Sequence, residues 1–420
     1  MKLTPLADPI EAQIEIPGSK SYTNRALIIA AIAGGGRIEK PLWSDDTEAM
    51  LRCLEVLGVR TRRDALGIEI LQSFSTKKDE TYELDADISG TTLRFLLPII
   101  CVIPGTKLLF GKEGLNKRPI QDLVEGLRQI DARIEYVEKD GFPPLRVTSE
   151  GLQSAVIRMS GAVSSQYFSA LLMMAPMIEG GLIIEVLGEQ ISKPYIDMTI
   201  DSMRQFGIPV VNENYKRYVV AGGEPYEKKA YTVEGDVSSA SYFAAIAALT
   251  KSKITLTNMN PESKQADMGF FKILEQMGTL ITYGKNGIVV EGRGVKPLEV
   301  DMENCPDQAQ TLAVLAAFAE GTTKITGVRS LRVKETERVK AVEQELSKMG
   351  IKTESTDDSL TIYGGRPHGA AIETYGDHRM AMSFAVAGSV LSGMEIHNPE
   401  VVGKTFPGFW DKLQLLKADI

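Results

Sequence analysis

The chain has 420 residues, 43% of them hydrophobic, three cysteines and a formal net charge of −8. That length accommodates two domains with sizeable cores and excludes a disordered chain, and the acidity excludes nucleic acid as a general partner while leaving room for a local basic cleft. Cys53, Cys101 and Cys305 are odd in number and far apart, which excludes a disulfide framework and points to a reducing, cytoplasmic compartment; no run of about 18 apolar residues and no export pattern in Met1 to Pro9 suggests a membrane.

In chain order, a polar helix-start signal followed by a small-residue-rich apolar run recurs with a period of about 70 residues. The starts are Pro17-Gly18-Ser19-Lys20, Ser89-Gly90-Thr91-Thr92, Ser164-Ser165-Gln166, Ser238-Ser239-Ala240, Asp307-Gln308-Ala309 and Asp377-His378-Arg379. Each leads into a run such as Ala26 to Ala31 or Ala170 to Met174, apolar on every face and so read as a buried helix. Short β-branched runs and a second, amphipathic helix follow most of them. Several second helices end alike, at Leu54 to Gly58, Met203 to Gly207, Leu274 to Gly278 and Leu346 to Gly350, and the closing glycine fits a left-handed C-cap. Strand-like runs come next, at Val210 to Asn212, Leu280 to Tyr283 and Ile351 to Glu354. Six such units predict an α/β protein of two domains, with a break near Gly222-Gly223-Glu224-Pro225 before Tyr231 to Gly235 restarts the pattern. A solenoid also uses repeats, but the irregular insertions and the lack of capping units argue against it.

The chemistry-bearing residues sit at the starts of the buried helices. A helix N-terminus carries unpaired N–H groups and partial positive charge, so a Ser, Thr or Gly start beside Lys or Arg is an anion site in waiting. Lys20, Arg25, Arg94, Arg118, Lys334, Arg338, Arg379 and Lys404 all lie at or near such positions, more cations than one phosphate needs. The densest stretch, Arg332-Val333-Lys334-Glu335-Thr336-Glu337-Arg338, opens an amphipathic helix pattern of Val339, Val342, Leu346 and Met349. Taken alone it reads as a solvated charged face. Gly18-Ser19-Lys20-Ser21 does not complete a P-loop, and no G-x-G-x-x-G opens a βαβ unit near the N-terminus. His368, His378 and His397 lack metal-ligand spacing and no Cys pairs with them, which argues against a metal site, and the lack of a G-x-S-x-G elbow argues against a serine hydrolase.

These residues carry a resemblance. Pro17 to Arg25, Ser89 to Arg94, Lys117-Arg118-Pro119-Ile120, Ser164-Ser165-Gln166, Ser192 to Asp197, Arg332 to Arg338, Asp377 to Met382 and Lys404-Thr405-Phe406-Pro407, in that order across nearly the whole chain, resemble the 5-enolpyruvylshikimate-3-phosphate synthases. The resemblance implies two similar domains, each of three βαβαββ units with buried parallel helices and outer sheets. Residues 17–233 would form the first domain and residues 1–16 with 234–420 the second, with the site in the cleft between them. It also implies transfer of the enolpyruvyl group of phosphoenolpyruvate to the 5-hydroxyl of shikimate 3-phosphate, with release of phosphate, no cofactor, and a monomer with these two small-molecule partners alone. Shikimate 3-phosphate would be held by Lys20, Ser21, Arg25, Ser164, Ser165, Gln166, Ser192, Tyr195, Asp307 and Lys334. Phosphoenolpyruvate would be held by Lys20, Gly90, Arg118, Gln166, Arg338, Arg379 and Lys404. Asp307 is the expected base for the 5-hydroxyl, Glu335 the proton shuttle at the methylene carbon, and Lys20 its acid or charge partner. Gly90 leaves room beside phosphoenolpyruvate, which implies inhibition by glyphosate, the family's competitive inhibitor.

Two departures stand out: Ile88 replaces the family's Asn ahead of the second buried helix, and Ser330 stands where some members have Asn. The sister transferase acting on UDP-N-acetylglucosamine shares the fold, but its catalytic loop carries a Cys, and Gly111 to Lys117 has none. A non-catalytic anion-binding relative is the rival of another class, and the joint presence of Lys20, Asp307 and Glu335 speaks against it.

Overall fold

A computed structural model describes residues 1–153, 156–285 and 287–418. The chain divides into two compact units, one of Gly18–Val233 and one of Met1–Pro17 with Glu234–Ile420. Pro17, expected at the head of the first domain, groups with the terminal segment, where its carbonyl accepts the Asp236 N–H at 2.8 Å.

Gly18–Val233 contains α1 (Lys20–Ala33), α2 (Asp45–Val56), α3 (Gly90–Val102), the single turn α4 (Glu113–Asn116), α5 (Gln121–Arg128), α6 (Ser165–Met174) and α7 (Lys193–Gln205). It has three four-stranded sheets of one design, an outer parallel pair continued by two antiparallel strands. In the first, Ala230–Thr232 runs parallel to Gly36–Glu39, which pairs antiparallel with Gly67–Gln72, and that strand pairs with Arg60–Asp64. Thr81–Asp85, Gly105–Phe110, Leu145–Ser149 and Arg133–Tyr136 repeat the order. So do Val156–Ser160, Leu182–Leu187, Arg217–Val220 and Val211–Glu213.

The second unit holds α8 (Val237–Thr250), α9 (Met268–Gln276), α10 (Ala309–Ala317), α11 (Arg338–Lys348), α12 (His378–Ala387) and α13 (Phe409–Ala418). Glu11–Glu15 runs parallel to Lys253–Thr257, which is followed by Gly287–Glu291 and Leu280–Gly284. Glu299–Asp301, Gly321–Thr326, Ser359–Gly364 and Lys352–Thr356 form the next sheet. The last repeat is abbreviated: Ala371–Ile372 pairs with Glu395–Ile396, and α13 takes the place of the antiparallel hairpin. There Phe406, Phe409 and Trp410 pack edge to face, with Phe406 and Phe409 also against Phe243 of α8.

Each unit closes around its own core of buried helices. In α1 the run Ala26 to Ala31 is buried throughout, and in α8 so is Tyr242 to Ala248, because Ala and Ser let neighbouring helices approach on every side. The second helices bury one stripe only: α11 buries Val339, Val342 and Leu346 and leaves Lys340, Gln344 and Lys348 in solvent. Gly58, Gly207, Gly278 and Gly350, which close four such helices, have φ between 80° and 109°, where a Cβ would strain the backbone. No helix among the described residues is long and apolar enough to cross a membrane.

Candidate active site

Of the six buried helices, all but α10 begin with a side-chain cap. Ser19, Ser89, Ser164, Asp236 and Asp377 each accept a backbone N–H from the first turn of the helix they precede. These caps satisfy one orphan donor per helix and leave others, with the positive end of the helix dipole, at the same place. The fourth cap is Asp236, two residues before the start expected at Ser238.

In Gly18–Val233 the first turns of four helices meet. Lys20 Nζ, on α1, lies 3.3 Å from the buried Asp46 carboxylate on α2. The Asp46 carbonyl accepts the Thr92 hydroxyl of α3, and the next residue back, Thr91, accepts Gln166 Nε2 of α6 at 3.3 Å. Gln166 Oε1 in turn accepts Arg94 Nη1 at 2.6 Å. A Cβ built on Gly90 would stand 3.2 Å from Arg94 Nη1 and 3.3 Å from Arg118 Nη1, so this glycine lies directly against two guanidinium groups. Gly90, Arg118 and Gln166, expected around phosphoenolpyruvate, are therefore neighbours, with Ser164 and Ser165 at the start of the helix that carries Gln166.

Arg25 is buried, and four protein acceptors engage its guanidinium N–H groups. Nε donates to Thr199 Oγ1 at 2.8 Å, Nη1 to the Ser21 carbonyl at 2.9 Å, and Nη2 to Ser169 Oγ at 3.3 Å and the Tyr195 carbonyl at 3.0 Å. Its guanidinium stacks 5.2 Å from the Phe95 ring centroid, and burial lowers its pKa to about 10. Ser21, Arg25 and Tyr195 are thereby held as one group. Ser192 precedes α7 in the left-handed region, with φ 52°.

In the second unit the first turns of α8, α10, α11 and α12 surround one ion network. Asp307 sits in the single 3-10 turn Pro306–Gln308 ahead of α10. Its Oδ1 accepts Arg338 Nη1 and its Oδ2 accepts Arg379 Nη2, both at 3.0 Å, with Lys334 Nζ 3.9 Å away. Burial alone would raise the pKa of this carboxyl, but Arg379, Lys334 and Arg338 outweigh it and hold the group well below the usual carboxylate range. Glu335 accepts Arg338 Nη2 on one oxygen and Lys404 Nζ on the other, each at 2.8 Å. Arg338, the first residue of α11, is 2% exposed. Burial disfavours its charge, yet Asp377, Glu335 and Asp307 raise its proton affinity above that of an ordinary arginine. The Asp377 contact is the shortest of the three, Nε to Oδ2 at 2.7 Å.

Within each unit, then, the expected residues come together. Others had no sequence-based role. Asp46 and Asp377 anchor Lys20 and Arg338 from inside, and Arg94, in sequence only one more cation near a helix start, binds Gln166. Asp377 opens the Asp377 to Met382 motif, and its place just ahead of a helix is a capping signal; Thr199 and Ser169, which hold Arg25 from 174 and 144 residues away, give none. Glu337, within the densest charge cluster, is the N-cap of α11, accepting from Lys340 N at 2.6 Å and from Arg332 Nη1 at 2.8 Å.

The family model for EPSP synthase (3-phosphoshikimate 1-carboxyvinyltransferase) matches residues 6–413. The chain belongs to the EPSP synthase family. Curated EPSP synthase relatives include the 3-phosphoshikimate 1-carboxyvinyltransferase of Sulfurovum sp. (strain NBC37-1), 41% identical with 97% of both chains covered. Another, with that same description, comes from Vibrio cholerae (strain ATCC 39541), 40% identical at the same coverage. Among solved structures, an EPSP synthase from Acinetobacter baumannii superposes with a TM-score of 0.85 at 26% identity, covering 99% of this chain and 98% of its own.

Proposed function

We infer that the chain transfers the enolpyruvyl group of phosphoenolpyruvate to the 5-hydroxyl of shikimate 3-phosphate in the shikimate pathway, releasing phosphate, and that both clusters of helix starts serve this one reaction. Family membership supplies the reaction. The observation that supports the residue roles is the network in which Asp307 and Glu335 share Arg338, with Arg379 and Lys404 on their outer oxygens.

Phosphoenolpyruvate carries a carboxylate and a phosphate, and arginine forks bind both. Arg118, Arg338, Arg379 and Lys404 would hold them, with Lys20, Gly90 and Gln166 alongside. Shikimate 3-phosphate would take Lys20, Ser21, Arg25, Ser164, Ser165, Gln166, Ser192, Tyr195, Asp307 and Lys334. Those anions compete for the cations that now hold Asp307 and Glu335. Each cation drawn towards substrate raises the proton affinity of the carboxylate it leaves, so substrate binding converts Asp307 from a poor base into a useful one. Asp307 then takes the 5-hydroxyl proton as that oxygen bonds to C2 of phosphoenolpyruvate, while Glu335, with Lys20 as acid or charge partner, supplies a proton to C3. In the elimination step a methyl proton returns to Glu335, the C2–C3 double bond re-forms and the C2–O bond to phosphate breaks. Inhibition by glyphosate, a cytoplasmic location and a monomeric state belong to the same reading.

The test is phosphate release from phosphoenolpyruvate with either shikimate 3-phosphate or UDP-N-acetylglucosamine. Release with the first alone is expected. Release with the second would transfer the chain to the sister activity, and none with either would favour a binding protein.

A further inference from the structure

We propose that Asp267 is a positioning residue for the Arg379 guanidinium, acting through the hydroxyl of Ser238. This rests on the reading that Arg379 binds phosphoenolpyruvate. Asp267 is the N-cap residue of α9 by position, yet its side chain makes no capping bond. It is 4% exposed and turns towards the helix starts instead. Its Oδ2 accepts the Ser238 Oγ–H, and Gln308 Nε2 donates to it at 2.9 Å, while the buried Oδ1 has no hydrogen-bond partner among the described residues. Ser238 Oγ also accepts Arg379 Nη2 at 3.4 Å, the same nitrogen that donates to Asp307.

A hydroxyl has one proton to give. While Asp267 is ionised it takes that proton, so the Ser238 lone pairs face Arg379 and the chain Arg379 to Ser238 to Asp267 runs in one direction. Once Asp267 is protonated it can donate to Ser238, and the direction is lost. A buried carboxylate with one unsatisfied oxygen has no structural advantage over an amide of the same shape, so its charge calls for a functional account. The groups facing it are Arg379 from α12, Asp307 from the turn before α10, Ser238 from α8, Gln308, and the Cys305 thiol, which burial pushes up to about 12. Burial raises the Asp267 pKa to about 6, opposed by Arg379 and reinforced by Asp307, so the switch falls near the working range.

The full chain, Asp267→Asn, Ser238→Ala and the double variant would be compared by steady-state kinetics from pH 5.5 to 8. The loss of a charge-assisted anchor predicts a KM for phosphoenolpyruvate raised about tenfold at pH 7.5 in each single variant, with no further rise in the double. The KM for shikimate 3-phosphate should stay within about twofold, since a local anchor is not shared. Substrate phosphates titrate in this range too, but equally for both proteins. The variant to wild-type ratio therefore isolates Asp267, and it should shrink towards one at pH 5.5. A pH-independent ratio, an equal rise in both KM values, or tighter phosphoenolpyruvate binding from the lost negative charge would overturn the proposal. If Asp267→Asn does not fold, Ser238→Ala carries the test, because it removes the relay and keeps the charge. If the wild type releases no phosphate, the functional reading fails on its own. Calorimetric binding of phosphoenolpyruvate to wild type and Asp267→Asn then decides, with equal affinities overturning the relay and about tenfold weaker binding upholding it.

Discussion

At the residue scale, Glu335 separates binding from chemistry. Its two oxygens are taken by Arg338 and Lys404, so Glu335→Gln keeps the shape and one good acceptor while removing the transferable proton. Turnover should fall at least about a hundredfold, the usual size of a general acid–base contribution, with shikimate 3-phosphate affinity nearly unchanged. Near-normal turnover by phosphate release would remove Glu335 from the proton path. The sequence placed Glu335 beside cations, since Lys334 and Arg338 are its neighbours in the chain. It was silent on the pairing of Glu335 with Lys404, 69 residues on, because charge patterning reads only local spacing.

At the element scale, one device is repeated with different loads on it. Ser89 caps α3 by accepting Thr92 N at 3.1 Å, its one side-chain hydrogen bond among the described residues. Asp377 caps α12 through Arg379 N at 2.8 Å and also binds buried Arg338. Ser89→Ala should therefore cost about 1 kcal/mol, the usual value of a cap. Asp377→Ala should cost more, about 2–4 kcal/mol, because it removes the cap and also the Nε partner of a buried guanidinium that keeps only Asp307 and Glu335, and it should also weaken phosphoenolpyruvate binding. Urea titrations of the two variants would check the ranking, and equal losses would mean that Arg338 relaxes onto Asp307 and Glu335 without penalty.

The same scale explains what could be read from sequence. Helices packed on every face need an unbroken apolar run, and the repeated Leu-to-Gly endings need a left-handed glycine, so both periodicities are written locally. Edge-strand pairing is not. Glu11–Glu15 precedes α1 in the chain but pairs with Lys253–Thr257, some 240 residues away, and Ala230–Thr232 pairs back to Gly36–Glu39. Nothing in a five-residue strand names its partner, and only the family resemblance implied two chain crossings. The abbreviated last repeat is not legible for a related reason: the sequence of α13 reads like that of any second helix, whatever follows it.

At the scale of the whole molecule, Asp267 links site electrostatics to folding stability. Its folded pKa of about 6 lies above the ordinary value of 3.8, so between those values the folded chain holds a proton that the unfolded chain releases. Stability from this group is thus fully present below about pH 4, falls as pH rises towards 6, and stays lower above that, by about 3 kcal/mol in all for a shift of this size. An amide in place of this carboxyl would carry no such penalty. Roughly a third of the loss has already occurred at pH 4.5, where the unfolded group is mostly ionised. In Asp267→Asn the stability relative to wild type should accordingly improve by about 2 kcal/mol between pH 4.5 and pH 7.5, even as phosphoenolpyruvate binding weakens. Asp307 has the opposite sign, its contribution being lost as pH falls below the carboxylate range, but it stays ionised in both folded proteins between pH 4.5 and pH 7.5 and so adds little to the difference. Paired urea titrations at the two pH values measure the difference directly. A constant difference would mean that Asp267 does not change its charge on folding across this range, and the stability cost of an ionised anchor behind Arg379 would have to be borne elsewhere.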